Sequence, residues 1–442
     1  MADDNPIPPS NPTLPSSNSL FPNEPRPTGR PVYESSLLPA RKHRRFSPWL
    51  IIPGLLVILL AVFYFLVFGP KPRRFVATAG TVVFASDLNS PGVTHLWTIQ
   101  ADGTAPKQLT TGTASDTNPA FTADGNQLAF LSNRSGGPNQ IWMVDSDGKN
   151  AVQVTRTAGA KAEEKFAPGS NSLLGFLSGA SLAAEDVGKG DATLFLPTPA
   201  TSTHSSSTDP AQAQETASAV VSFVWKPSAD KATSDSSTLG LAAVLETAGV
   251  QTLAVLPTLS SAPRLTQNNQ PSGPPLAVAD RLSLAYAPDG SKLAVGMLHV
   301  LGLPGGQKIS GLIQFDGNGN VQKPIVPPQK DAAIGPQEPV YSPDGTQIVV
   351  EVWQQIDLAS RRVLGLFIVD ADGKGTPHLL ARGDAEAAQF SPDGKLVFFL
   401  ARRADSGHDL YRINADGTGP LRLSDGHADI TSFAPSPQSA AP

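Results

Sequence analysis

Residues 390–424 read FSPDGKLVFFLARRADSGHDLYRINADGTGPLRLS, and this stretch decides the fold. It opens on an aromatic residue, Phe390, followed by the turn sequence Ser391-Pro-Asp-Gly394. Proline presets φ for the first central turn position, aspartate bonds its own backbone, and glycine supplies a positive φ. Lys395-Leu-Val-Phe-Phe399 is then a short β-type run. Leu410-Tyr-Arg-Ile-Asn414 alternates ahead of Asp416-Gly417, the strongest short-range hairpin dipeptide. One strand before the turn, one after it and an outer hairpin make a unit of four strands.

The opening phrase recurs as Phe121-Thr-Ala-Asp-Gly125, Tyr286-Ala-Pro-Asp-Gly290 and Tyr341-Ser-Pro-Asp-Gly345. Weaker copies are Phe166-Ala-Pro-Gly-Ser170, Trp225-Lys-Pro-Ser228 and Phe433-Ala-Pro-Ser436. Successive aromatic positions, from 121 to 433, lie 45, 59, 61, 55, 49 and 43 residues apart. The Asp-Gly signal recurs with them at Asp102-Gly103, Asp147-Gly148, Asp316-Gly317 and Asp372-Gly373. A period of about 40–50 residues indicates propeller blades or solenoid units. No helix-length amphipathic segment separates the copies, so helical and leucine-rich repeats are disfavoured and the fold is all-β. The architecture expected is a β-propeller of four-stranded blades.

Phe121 to Thr155, FTADGNQLAFLSNRSGGPNQIWMVDSDGKNAVQVT, resembles the WD40-like (PD40) repeat of the TolB-type β-propellers, and residues 390–424 match that pattern equally well. The resemblance spans residues 79–435; it is weak at Phe166 and Trp225, where the Ser/Thr/Ala-rich insertion 199–218 is expected to be a disordered loop. The segment Thr81–Thr110 supplies three strands without the opening phrase, and Asp429–Pro435 supplies only a first strand. Joined, they complete one blade from both ends of the domain and remove its exposed edges. Seven blades follow, or six if the divergent stretch 166–265 forms a single blade. The TolB-like resemblance implies protein–protein interaction as a common use.

Upstream of the repeats, residues 46–70 contain no charged side chain and about 20 of them are apolar, enough to span a bilayer as a helix. Residues 1–45 hold ten prolines in their first 40 positions and read as a disordered tail, with 71–78 as a juxtamembrane linker and 436–442 as a disordered C-terminus. Arg41, Lys42, Arg44 and Arg45 before the span, against Lys71, Arg73 and Arg74 after it, lean toward a cytoplasmic tail and an extracytoplasmic propeller in the cell membrane.

Charge and chemistry narrow the function. The 442 residues hold 33 basic and 38 acidic side chains, a net −5. Residues 1–74 contain 9 and 4 of these, which leaves the repeat domain at −10 and argues against nucleic acid as a partner. The chain has no cysteine, so no thiolate chemistry is available. It has no GxSxG nucleophile elbow and no HExxH, and Asp145-Ser-Asp147-Gly148 lacks the glutamate that an EF-hand needs. No catalytic residue, cofactor or metal is therefore expected.

Just before the phrase aromatics stand Asn118, Glu163, Glu338, Glu386 and Asp429. In a propeller these positions approach the mouth of the central channel, where carboxylates would attract a cation or a basic peptide segment. The reading that results is a membrane-anchored, non-catalytic module that binds a protein or cell-envelope ligand. Two rivals stand beside it. One is a glycan-cleaving propeller enzyme with carboxylates at the channel mouth. The other is a transmembrane sensor that signals through the PxxP spacings of the tail, such as Pro9-Ser-Asn-Pro12.

Overall fold

The computed structural model describes residues 80–437, apart from 188–191, 197–218, 229–238, 248, 257, 259–263, 266–277, 301–308, 331–333 and 357–360. The expected tail (1–45), span (46–70), linker (71–78), insertion (199–218) and the C-terminus beyond 437 lie outside the described residues. Those described contain no helix and are built from short antiparallel strands.

The strands assemble in chain order into sheets, each named here by its first strand. Sheet β4 comprises β4 (Asp116–Phe121), β5 (Gln127–Ser132), β6 (Gln140–Asp145) and β7 (Val152–Gln153). Sheet β8 comprises β8 (Lys161–Phe166), β9 (Leu173–Ser178), β10 (Ser181–Asp186) and β11 (Ala192–Leu196). Next come β12 (Ala219–Lys226), β13 (Gly240–Thr247), β14 (Val250–Leu256) and β15 (Arg264–Leu265). They are followed by β16 (Val278–Tyr286), β17 (Lys292–Val300), β18 (Ile309–Asp316) and β19 (Val321–Lys330). Among the described residues the backbones of these two quartets pair through Gln251↔Ala279 and Thr252↔Val278, which makes them one eight-stranded sheet. The divergent stretch 166–265 thus carries β9, β10 and β11, which continue from β8, and then β12 to β15. Sheet β20 holds β20 (Ile334–Tyr341), β21 (Gln347–Gln355), β22 (Arg361–Asp370) and β23 (His378–Arg382). Sheet β24 holds β24 (Ala385–Phe390), β25 (Leu396–Arg402), β26 (His408–Asn414) and β27 (Leu421–Arg422). In the remaining sheet β28 (Ile430–Pro435) pairs with β1 (Thr81–Ser86), and β2 (His95–Gln100) and β3 (Lys107–Gln108) follow.

Second strands such as β1, Thr-Val-Val-Phe-Ala-Ser, are buried along their whole length. A strand covered on both faces reads as a continuous apolar run rather than an alternating one. The cover is the neighbouring sheet: Val83 and Leu96 pack on Leu128 and Phe130, and Ala129 and Met143 on Leu174 and Phe176. Leu177 and Leu182 meet Phe223 and Leu241, and Val244 and Leu253 meet Leu284 and Val295. Ala294 and Leu312 meet Ile348 and Val350, Val349 and Leu366 meet Val397 and Phe399, and Phe398 and Leu400 return to Val82 and Trp97.

The turn phrase is legible in atomic terms. In three copies a hydroxyl ahead of the turn (Thr122, Ser342, Ser391) donates to the turn aspartate (Asp124, Asp344, Asp393) at 2.6–2.7 Å. The same carboxylates accept backbone N–H groups two residues on, from Asn126, Thr346 and Lys395. The Asp-Gly hairpins differ from a two-residue turn: Gly148 N–H donates to Asp145 O and Asp145 N–H to Lys149 O, with Gly148 at φ 90°. This is the three-residue loop with a left-handed glycine. At Asp316-Gly317 the loop runs to Asn320, and Gly319 takes the left-handed position instead.

Both turn types also space the sheets. Lys323 Nζ donates to Asp372 O (2.6 Å) and Arg412 Nε to Ala101 O (2.6 Å), each reaching from one sheet to the hairpin of the next. Gly290, at φ 68°, lies so close to the preceding sheet that a Cβ there would collide with the Pro227 carbonyl oxygen. A Cβ at Gly345 (φ 72°) would meet only Pro288 Cδ at an ordinary 3.5 Å. Left-handed backbone costs a non-glycine residue about 1–2 kcal/mol at either site. Gly290→Ala adds a backbone clash and is expected to lower the thermal midpoint at least twice as far as Gly345→Ala. Equal shifts in the two variants would show that the contact at Pro227 does not space the sheets.

Candidate functional site

First strands carry a repeated irregularity three residues before the phrase aromatic. Pairing shifts between Thr117 and Ala120, Ala162 and Lys165, Gln337 and Val340, and Glu386 and Gln389. The bulged residues Asn118, Glu163, Glu338 and Ala387 have φ of 52°, 52°, 47° and 56°. A bulge of this kind re-aims side chains at the end of a strand. Of the five positions read from the sequence, Asn118, Glu163 and Glu338 therefore share one structural place. Glu386 is offset by one residue, and its bulge position is Ala387. Asp429 stands just before β28.

Bulge amides are engaged between neighbouring sheets. Asn118 N–H donates to Ser432 Oγ (2.9 Å), and Glu338 N–H to Ser283 Oγ (2.9 Å). Asn118 is exposed, and Glu163 pairs with Lys165 on its own strand at 3.4 Å. Neither belongs to the cluster formed by the other three.

That cluster runs across β16, β20 and β21, β24 and β26, and the residue just before β28. Arg281 crosses from β16 to bond Glu338 Oε1 (2.9 Å), with its guanidinium 4.4 Å above the Trp353 ring. The Trp353 indole N–H donates to Glu351 Oε2 (2.7 Å), and Ala387 N–H donates to Glu351 Oε1 (2.7 Å). The His408 ring lies between two carboxylates, with Nε2 3.3 Å from Glu386 Oε1 and Nδ1 3.3 Å from Asp429 Oδ1. Asp429 Oδ1 also accepts the His408 backbone N–H (2.7 Å), and the Asp429 N–H donates to Asp87 Oδ1 (2.8 Å). Asp429 thus ties the last strand to its neighbours on both sides.

Exposure sorts these groups into two kinds. The Glu338, Glu386 and Asp429 side chains are 44%, 41% and 41% exposed, so part of each carboxylate faces solvent despite its internal partners. Glu351 is 3% exposed. Burial, and then the nearby Glu338 carboxylate, push its pKa up to about 8 against the two hydrogen bonds that favour the charge. Glu164, beside Glu163, is likewise pushed well above the usual carboxylate range by burial. Among the described residues no group of three or more His, Asp or Glu side chains has the arrangement of a metal site. Arg281, Trp353, Glu351 and His408 were not among the positions read from the sequence. The one available signal was a charge inside an apolar run, Glu351 in Gln347-Ile-Val-Val-Glu-Val-Trp353.

Residues 72–211 match the family model described as the TolB beta propeller domain. Comparison with curated proteins gives no match. Among solved structures, TolB from Acinetobacter baumannii is 16% identical, with 86% of this chain and 71% of that one covered and a TM-score of 0.46. Oligogalacturonate lyase from Vibrio parahaemolyticus is 13% identical (79% and 85% covered, TM-score 0.49). A prolyl endopeptidase is 12% identical with a TM-score of 0.51; 82% of this chain aligns with 50% of that chain, a likeness of fold alone. Over residues 72–211 the chain is thus similar to the TolB beta propeller domain, in keeping with its repeats and its stacked antiparallel sheets.

Proposed function

We propose that this chain is a single-pass membrane-anchored protein whose propeller lies outside the cytoplasm and binds a protein or cell-envelope ligand without catalysing a reaction. The propeller would have seven blades closed by β28 on β1. In support, the apolar clusters link each strand quartet to the next and return from β25 to β1. A uncharged span at 46–70 and the basic excess before it support the anchor and its orientation.

The observation that carries the binding reading is the row of part-exposed carboxylates Glu338, Glu386 and Asp429 across three neighbouring first strands. Part-exposed carboxylates on neighbouring strands, at what would be the mouth of the channel, would concentrate cationic groups of a partner. The non-catalytic reading draws support from Glu351. Burial biases it toward the protonated form that the acid of a glycan-cleaving pair needs, yet it is 3% exposed with both oxygens engaged.

Two experiments test the proposal. Protease added to intact spheroplasts should digest the propeller; full protection would reverse the orientation. The solubilised full chain should bind a deca-arginine peptide, and the Glu338→Gln/Glu386→Gln variant should bind it about tenfold more weakly at low salt. Equal binding by the double variant would remove the mouth as the site.

A further inference from the structure

Glu351 links the strands that carry Glu338 and Glu386: it lies on β21, opposite Gln337 of β20, and bonds β24. Its Oε1 holds the amide of Ala387, the residue after Glu386, and its Oε2 holds the indole of Trp353. Trp353 in turn supports Arg281, which bonds Glu338. The carboxyl feels Glu338 from β20 and Glu386 from β24, two like charges that oppose a third between them. At 3% exposure it is out of reach of any ligand seated on those two residues. It can respond only through its charge.

We propose that binding at this mouth is coupled to the proton of Glu351: a cationic ligand seated on Glu338 and Glu386 drives that proton into solvent. The inference rests on the mouth reading given above. No bond changes other than the O–H of the Glu351 carboxyl, whose proton passes to water or buffer. A cation screening the two neighbours removes their opposition to a third negative charge, and the Trp353 and Ala387 N–H groups are already placed to stabilise it. Burial sets the proton's release near pH 8 in the free protein, so ordinary pH lies within range of the coupling. Linkage is reciprocal, so a ligand that expels the proton binds more tightly as pH rises. A one-unit change in the carboxyl's pKa corresponds to about a tenfold change in affinity.

The test uses the full chain and the deca-arginine peptide, which keeps its charge throughout the range. With a fall of about one unit on binding, affinity should rise about fivefold from pH 7 to pH 9, and in weak buffer at pH 7.5 binding should release about half a proton per peptide. Glu351→Gln should bind with no such rise. His408→Asn is the necessary companion, because that imidazole lies against Glu386 and Asp429. It should retain both the rise and the proton release, and this measurement stands even if Glu351→Gln does not fold. A rise that survives Glu351→Gln and disappears in His408→Asn overturns the inference, as does equal affinity at both pH values with no proton released. Binding that is pH-independent leaves the mouth reading in place, whereas no binding at any pH overturns that reading and this inference with it.

Discussion

Removal of residues 430–442 is expected to abolish folding of the propeller domain. The six residues of β28 are the first strand of the sheet that continues through β1, β2 and β3, and they pair with β1 from Val82↔Pro435 to Ser86↔Ile430. Ile430 and Phe433 are 1% and 4% exposed and sit in one cluster with Val82, Phe84, Phe398 and Leu410. Loss of two such side chains costs about 2–5 kcal/mol each, which approaches the whole stability of a typical domain. The truncation also bares β1, whose four central residues Val82–Ala85 are apolar, as an edge that can template pairing with another chain. Gel filtration and circular dichroism of the truncated chain should show aggregate or unfolded material. Phe433→Ala, which keeps the backbone pairing, should fold with a lowered thermal midpoint. A monomeric truncation with the parent's midpoint would mean that β28 does not close the structure.

What the sequence made legible follows from locality. The phrase aromatic, the turn aspartate and the hairpin glycine are fixed by bonds within a few residues, and their spacing reports the strands on either side. The bulge position was legible for the same reason: Asn118, Glu163 and Glu338 all stand three residues before an aromatic. Glu386 and Asp429 stand four before theirs, an offset that a repeat with insertions blurs. The partners of these carboxylates were not legible. Arg281 meets Glu338 across 57 residues, and Ala387 meets Glu351 across 36, through contacts between different sheets. Such pairs depend on how two strands are stacked, which no short-range pattern encodes. Outer strands were equally faint, because β3, β7 and β27 are two residues long.

The stability of the domain is expected to fall as pH rises from about 4.5 to about 8, and Glu351 is a principal cause. In the unfolded chain this carboxyl ionises near its ordinary value, whereas in the folded protein burial, and then Glu338, hold the proton until about pH 8. Between those limits the folded state binds more protons than the unfolded one, so rising pH favours unfolding. The stabilisation is complete below about pH 4.5, declines through the window, and is gone above about pH 8. At about 1.4 kcal/mol per unit of pKa difference, the contribution reaches a few kcal/mol. For a domain of this size that corresponds to a midpoint shift on the order of 10 °C. Glu164 acts in the same direction, since burial raises it as well. Thermal unfolding of the parent, Glu351→Gln and Glu164→Gln at pH 5 and pH 8 separates the two. Glu351→Gln should be less stable at pH 5, where its amide sets an N–H against the Trp353 indole N–H, and should lose much of the difference between the two pH values. Both replacements together should flatten it further. An unchanged difference in Glu351→Gln would show that the carboxyl is already ionised in the folded protein, held by Trp353 and Ala387 alone, and the coupling proposed for the mouth would then have no proton to release.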